Sequence, residues 1–384
     1  MPLILIIWLP LFLLYTFLIL YASFRWRTLP EVVPSPAERH LDLTVIIPAR
    51  NEAEGIISLL NDLALQDYPD SHYEVIVVDD YSEDDTFDLV VQYISQSDKN
   101  VRILSVSDSP FNISSPKKNA LAYGISRARG THIVTTDADC RVGNSWLSIH
   151  NQLLSRERCK MVAGPVYYTA EDSFLQKAQG LELAALIGTG AVSLAIGKAG
   201  MANGANLSFS LEVYKEVDGY TGNEHIVSGD DEFLLRKIHS QSPESVVFAK
   251  SQEVVVSTAP CKNLIALFHQ RRRWAGKWRL HGDIFSIFLP LFVFLFYLGW
   301  LSVIALAFTH FTFIWLILST FILKTAIEFL FLQPIRILGG KKVSFPVLIV
   351  LQLLYPFYVI FFGIAANAGG FRWKGRTYSK HTND

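Results

Sequence analysis

Hydrophobic and polar positions follow two patterns along this chain, and each marks a region. Residues 3–22 form an unbroken apolar run, about long enough to cross a bilayer. Similar runs return late in the chain at 284–308, 311–332 and 345–366. Between them the pattern is that of a packed domain. Residues 43–48, 73–78, 101–104 and 131–134 are short, β-branched and apolar, and read as strands. Residues 54–65 are amphipathic and read as a helix, and 84–95 and 119–128 also read as helices. Strands alternating with helices predict an α/β domain on a parallel sheet. Open sheets of this kind bind ligands at the carboxyl ends of their strands. Here those ends carry Arg50-Asn51-Glu52, Asp79-Asp80 and Asp137-Ala138-Asp139.

Beyond Asp139 the alternation loosens. Residues 146–154 read as a helix, 161–166 as a strand, and 174–196 as a long helix of small and apolar residues. Residues 202–209 form a polar, glycine-containing strand or loop, and 212–217 a short helix. Ser228-Gly229-Asp230-Asp231-Glu232 starts another helix with acids in its first turn, as the helix dipole favours. Two short strands follow at 245–249 and 253–257. Residues 262–280 are amphipathic and mix aromatic with basic side chains, which suits a membrane surface.

Charge and composition orient these pieces. The 384 residues are 51% hydrophobic, with 34 Lys and Arg against 35 Asp and Glu, so no basic excess argues for nucleic acid. Cys140, Cys159 and Cys261 are odd in number and widely spaced, which offers neither a disulfide framework nor a zinc spacing and suits a reducing compartment. No Lys or Arg precedes the first run, while Arg25 and Arg27 follow it. That asymmetry predicts an uncleaved anchor with its N-terminus outside and the domain in the cytoplasm. The basic loop 336–342 is expected there too. If all four runs span, the basic tail lies outside; if one is re-entrant or lies at the interface, it lies inside. Pro356 marks the last run as the exception, and a cytoplasmic tail is expected. The expected boundaries are an anchor at 1–24, a linker at 25–41, the α/β domain at 42–260, an interface helix at 261–282, an apolar region at 283–368 and a tail at 369–384.

Several positions carry candidate chemistry. If extended, Asp137 and Asp139 face one ion together. Such hard oxygen ligands suit Mg2+ or Mn2+, which take substrate phosphates as remaining ligands. Asp79 or Asp80 can accept the N–H of a uracil ring, or simply end a strand with Ser82 as helix cap. Lys117 can meet phosphate as a point charge. Gln270, Arg273 and Trp274 fall at i, i+3 and i+4 on one helix face. Arg271 and Arg272 are expected to point away from it, toward anionic lipid. Asn112 and Asn206 fit a glycosylation pattern that a cytoplasmic domain would not use.

Six pieces in order carry a resemblance: residues 45–52 (Val-Ile-Ile-Pro-Ala-Arg-Asn-Glu), 78–82 (Val-Asp-Asp-Tyr-Ser), Lys117-x-x-Ala120-Leu121-x-x-Gly124, Asp137-x-Asp139, Gly229-Asp230-Asp231, and Gln270-x-x-Arg273-Trp274. Together they resemble the processive or lipid-directed family-2 glycosyltransferases, the group with cellulose, chitin and hyaluronan synthases and ceramide glucosyltransferase. Asp230 stands where that family usually has Glu. The resemblance implies a GT-A (Rossmann-like) nucleotide-sugar-binding domain with N- and C-terminal transmembrane helices, in a multi-pass protein of the bacterial inner membrane. It implies inverting transfer from a nucleotide sugar, a UDP-sugar, to a lipid or polysaccharide acceptor. Pro48, Arg50, Asn51, Glu52, Asp79, Asp80, Lys117 and Asp137 would serve the nucleotide, and Asp137 and Asp139 the metal. Asp231, or Asp230 in its place, would take the acceptor proton. Gln270, Arg273 and Trp274 would meet acceptor and diphosphate. Asn203 and Asn206 would either line the acceptor side or satisfy buried backbone. The alternatives are a polyprenyl-phosphate sugar transferase using GDP-mannose and an inactive membrane scaffold of the same fold.

Overall fold

The computed structural model describes residues 3–36, 38–276, 284–308, 310–311, 313–365 and 370–378. Lys277, Trp278 and Arg279 of the expected interface helix, and the tail beyond Tyr378, lie outside the described residues. From the N-terminus, α1 (Leu3–Thr28) leads to β1 (Leu43–Ala49), α2 (Ile56–Ala64), β2 (Tyr73–Asp79), α3 (Thr86–Gln96), β3 (Val101–Ser105), α4 (Pro116–Ser126) and β4 (His132–Thr135). Then come α5 (Trp146–Leu154), β5 (Met161–Ala163), β6 (Val166–Tyr168), α6 (Phe174–Ala195), β7 (Leu207–Ser210), α7 (Leu211–Glu216) and α8 (Asp230–Gln241). The chain continues through β8 (Val246–Phe248), β9 (Val256–Thr258), α9 (Leu264–Ala275), α10 (Ile284–Ala307), α11 (Phe313–Leu338) and α12 (Phe345–Ala365). It reaches a hairpin of β10 (Phe371–Trp373) and β11 (Arg376–Tyr378).

These elements form two compact units. The first contains Leu29–Ala170 and Thr189–Pro260 and is built on a seven-stranded sheet of order β3-β2-β1-β4-β7-β5-β8. The strands from β3 to β4 are parallel, with Leu43 opposite Tyr73 on one side and His132 on the other. The expected parallel pairing holds for these strands, and it changes beyond β4, where the alternation of strands and helices loosens. There β7 runs antiparallel to both β4 and β5. Side-chain alternation along β1 builds a core on each face, as a doubly covered sheet requires. Val45 and Ile47 pack with Leu59, Leu63 and Trp146. Ile46 packs with Ile76, Val78, Leu121, Phe209 and Leu234. Gly124 lets α4 press onto this second face, since a Cβ there would fall 2.8 Å from Ile46 Cγ2.

The second unit contains Met1–Thr28, Glu171–Gly188 and Cys261–Lys380. Its interior is aromatic, with Trp8, Phe12 and Tyr15 of α1 against Phe296 and Trp300 of α10. Among the described residues five helices are long and apolar enough to cross a membrane: α6 joins α1, α10, α11 and α12. The small, apolar composition of α6 had suggested only a long helix of the α/β domain. Inside the apolar run of α11, Lys324 pairs with Glu328 at 2.6 Å, one helical turn apart. Gln352 of α12 donates to Glu328 at 2.6 Å, and Tyr15 of α1 also donates to it. Charges buried at that depth persist only where every partner is supplied.

Candidate functional site

The ends of β1 and β2 are folded into one cradle. Asn51 and Tyr81 both take left-handed backbone conformations, at φ 53° and 56°. These turn the two loops toward each other. The Asn51 N–H donates to Ser82 Oγ at 3.0 Å, and Glu83 N–H donates to Asn51 Oδ1 at 2.7 Å. Arg50 donates to the carbonyls of Asp80 and Tyr81 and pairs with Glu83. Arg50 and Asn51 therefore brace the turn, a task their motif alone did not reveal. Glu52 is bound through its backbone, donating to Thr86 Oγ1 at 2.8 Å, and Pro48 is a β1 residue. Asp79 is 5% exposed. Its Oδ2 accepts from Ser82 N–H at 3.3 Å, while its Oδ1 accepts no hydrogen bond among the described residues. An unmet buried acceptor costs about 1–3 kcal/mol, so a donor to this oxygen would be favourable.

The extended segment expected to carry Asp137 and Asp139 ends earlier, at Thr135. Asp137 C=O accepts from Cys140 N–H at 3.0 Å, which makes residues 137–140 a β-turn. The two carboxylates are therefore presented by a turn, with Asp137 half-buried and Asp139 exposed. Thr258 donates to Asp139 Oδ2 at 3.4 Å. Gly55, just before α2, lies close beneath: a Cβ there would be 3.3 Å from Ala138 O. Lys117, in the first turn of α4, sits 2.6 Å from Asp137 Oδ1 and 3.4 Å from Asp230 Oδ2. Burial opposes its charge, but Asp137, Asp230 and Asp231 outweigh it and hold the ammonium well above its ordinary range.

Asp230 and Asp231 open α8 after Gly229, whose φ of 80° a side chain would strain. Asp231 accepts from Gly204 N–H at 2.9 Å and from Glu232 N–H at 2.7 Å. These donors orient the carboxylate. Gly204 is a site residue that motif reading missed. A Cβ there would lie 2.9 Å from Asp230 Oδ2, and Thr135 Oγ1 anchors its carbonyl at 2.6 Å. The only available signal was a glycine between two asparagines. Asn203 accepts from Ala205 N–H and caps the short turn that holds Gly204 in place. Asn206 is fully buried. Its amide donates to Pro165 O and Val254 O, and its Oδ1 accepts from Trp146 Nε1 and from His150 Nε2. Of its two expected roles it takes the structural one, and its glycosylation pattern is inaccessible.

Lys117 of α4 thus joins Asp137, in the turn after β4, to Asp230 at the start of α8, and Asp139 shares the turn of Asp137. Among the described residues no group of three or more His, Cys, Asp or Glu is placed so that it could hold a metal ion by itself. The donor set still fits Mg2+ or Mn2+, which use one or two carboxylates and complete their shells with substrate phosphate and water.

Gln270, Arg273 and Trp274 lie on α9 in the other unit. Asn263 caps this helix by accepting from Ala266 N–H at 2.9 Å. The Arg273 guanidinium stacks 5.2 Å from the Trp373 ring of the β10–β11 hairpin. Arg272 stacks on Phe268 at 5.6 Å. Arg271 corrects the surface expectation. It is 3% exposed and pairs with Glu182 of α6 at 2.6 Å. A residue at 271 flanks position 274 at i, i+3, and Arg271 lies over the Trp274 ring at 4.3 Å.

A family model described as glycosyl transferase family 2 matches residues 44–217, and one for glycosyl transferase family group 2 matches residues 132–362. The chain belongs to the family-2 glycosyltransferases. Beta-monoglucosyldiacylglycerol synthase of Trichormus variabilis is 27% identical over 250 residues, covering 64% of this chain and 51% of that protein. Glycosyltransferase AglE of Haloferax volcanii is 30% identical over 198 residues, covering 49% of this chain and 58% of that one. The chain spans about half the length of the curated relatives it matches. A mannosyltransferase from Pyrobaculum calidifontis, solved with GDP-Man and Mn2+, matches over 95% of both chains at 21% identity and a TM-score of 0.57. The glycosyltransferase therefore has the GT-A fold that its strand order describes, and its paired carboxylates stand at the strand ends where such a sheet binds ligands.

Proposed function

We propose that this glycosyltransferase moves a sugar from a UDP-sugar to a lipid acceptor with inversion at the anomeric carbon. The observation that carries the reading is Lys117, held between Asp137 and Asp230 beside Asp231 at one set of strand ends. Asp79 reads the base through its unmet Oδ1, which suits the ring N–H of uracil. Asp137 and Asp139 would hold Mg2+ or Mn2+, which when bound would offset charge on the departing diphosphate. Lys117, whose ammonium form is favoured by the surrounding carboxylates, steadies Asp137 and offers a second cation to the diphosphate. Asp231, oriented by Gly204 and Glu232, accepts the proton of the attacking hydroxyl, a task worth about 10²–10⁴ in rate for a positioned carboxylate. Asp230 carries the contact to Lys117. Gln270, Arg273 and Trp274 are assigned to acceptor and diphosphate by motif resemblance.

The matched beta-monoglucosyldiacylglycerol synthase supports a lipid acceptor and a β-linked product, which a single displacement on an α-linked nucleotide sugar would give. The test is nucleotide release by the detergent-solubilised protein across UDP- and GDP-sugars with lipid alcohols. UDP release that requires a divalent metal and disappears in Asp139→Asn is expected. Release from GDP-mannose only would replace the donor assignment, and elongation of a water-soluble polymer would replace the acceptor.

A further inference from the structure

Arg271 is the cation that the transfer motif does not use, and it is the most deeply held of the three consecutive arginines on α9. Its Nε and Nη2 both donate to Glu182 Oε2, at 2.9 and 2.6 Å. Nε also reaches the Tyr358 hydroxyl at 3.1 Å, and that hydroxyl donates to Glu182 Oε1 at 2.7 Å. The remaining arm, Nη1, donates to Gln270 Oε1. Its guanidinium carbon lies over the Trp274 ring, 4.3 Å from the centroid. One buried side chain thus links α6 and α12 to two of the three motif residues. A buried ion pair is a weak device for stability, because desolvation cancels most of its attraction. It is a good device for direction, since a planar guanidinium gripped by a carboxylate has one orientation. Lysine would keep the charge and lose the plane.

We propose that Arg271 is a positioning residue of this glycosyltransferase: anchored by Glu182 and Tyr358, it sets the ring plane of Trp274 and the amide of Gln270 for the acceptor. The proposal rests on the transfer reading above. Arg271→Lys and Glu182→Gln are expected to raise the acceptor KM about tenfold while UDP affinity stays within about twofold. In a Trp274→Phe background, Arg271→Lys should add less than about twofold, because the path through the ring is already broken. Effects that multiply in the double variant, equal losses in UDP affinity and acceptor KM, or unchanged kinetics would each overturn it. Should Arg271→Lys fail to fold, Tyr358→Phe with Glu182→Gln carries the same cycle.

A readout independent of turnover separates this proposal from the transfer reading. In protein labelled with 5-fluorotryptophan, the fluorine resonance missing from Trp274→Phe belongs to Trp274. It should shift or broaden in both Arg271→Lys and Glu182→Gln, with most other resonances in place. An unmoved Trp274 line in both variants contradicts the proposal even if the enzyme is active. A moved line in a protein that turns over no nucleotide sugar supports the ring-plane role and sinks the transfer reading instead.

Discussion

Two buried polar clusters in the sheet unit look alike in composition and differ in one respect. Around Asn206, each partner is found. Its amide meets Pro165 O and Val254 O, and its oxygen takes Trp146 Nε1 and His150 Nε2. His150 Nδ1 is 2.7 Å from Ser208 Oγ. Because a carboxamide oxygen only accepts, His150 carries its proton on Nε2 and accepts from Ser208 at Nδ1. At the ends of β1 and β2 the same kind of accounting leaves Asp79 Oδ1 over. A closed network holds a fold in place, whereas a buried acceptor with no partner among the described residues has capacity left for a further donor. The contrast separates a residue that builds the fold from the one proposed above to meet the nucleotide.

The contrast is broken most severely at the proposed base. Asp231→Asn is expected to cut sugar transfer by about 10²–10⁴ with little change in melting temperature, since the amide oxygen can still accept from Gly204. Wild-type rates in that variant would remove Asp231 from the chemistry. Asn206→Ala is expected to do the reverse. Stranding four buried partners costs about 3–5 kcal/mol, read as a lower denaturation midpoint, while any folded remainder keeps its affinity for nucleotide.

His150 sharpens the same division through pH. Burial pushes its imidazole down to about 4. Between about 6.5 and 4 the unfolded chain binds a proton that the folded chain refuses, so stability falls as pH drops through that window. The span corresponds to about 3 kcal/mol, complete near pH 4. Unfolding measured from pH 7 to 4 should show a shallower decline in His150→Gln than in the wild type. Parallel declines would mean that His150 is not held neutral.

The smallest expected effect belongs to Asp79→Ala. It loses one long contact to Ser82 and also an unmet oxygen, so stability should stay within about 1 kcal/mol. Calorimetry should nevertheless show UDP binding weakened by about tenfold, the worth of one hydrogen bond to a charged group. Unchanged UDP affinity would assign the base to another residue, with Asp80 next.

Much of this was legible before any coordinates. The β-branched runs ending at Ala49, Asp79 and Thr135 are strands because their side chains fill both faces of one sheet. Helix α5 begins and ends at the residues its pattern marks. Pairing was less legible: a strand as short as β7 shows its faces but not its neighbour's direction, and it runs antiparallel to β4. The Asp137–Cys140 turn was hidden because one Ala between two Asp fits turn and strand equally well. Arg271 was misplaced for a related reason. A helical wheel tells which residues share a face, but not that Glu182 stands opposite. Lys324 and Glu328 escaped notice inside an apolar run because their charges compensate one turn apart. Local pattern reports what a segment prefers, and these features depend on segments far away in sequence.

The most direct measurement follows donor and product together. Detergent-solubilised protein, a UDP-sugar, Mn2+ and a lipid alcohol should yield free UDP and glycosylated lipid in equal amounts, and Asp231→Asn should yield neither. No release from any UDP- or GDP-sugar by folded wild-type protein, or undiminished release by Asp231→Asn, would contradict the account.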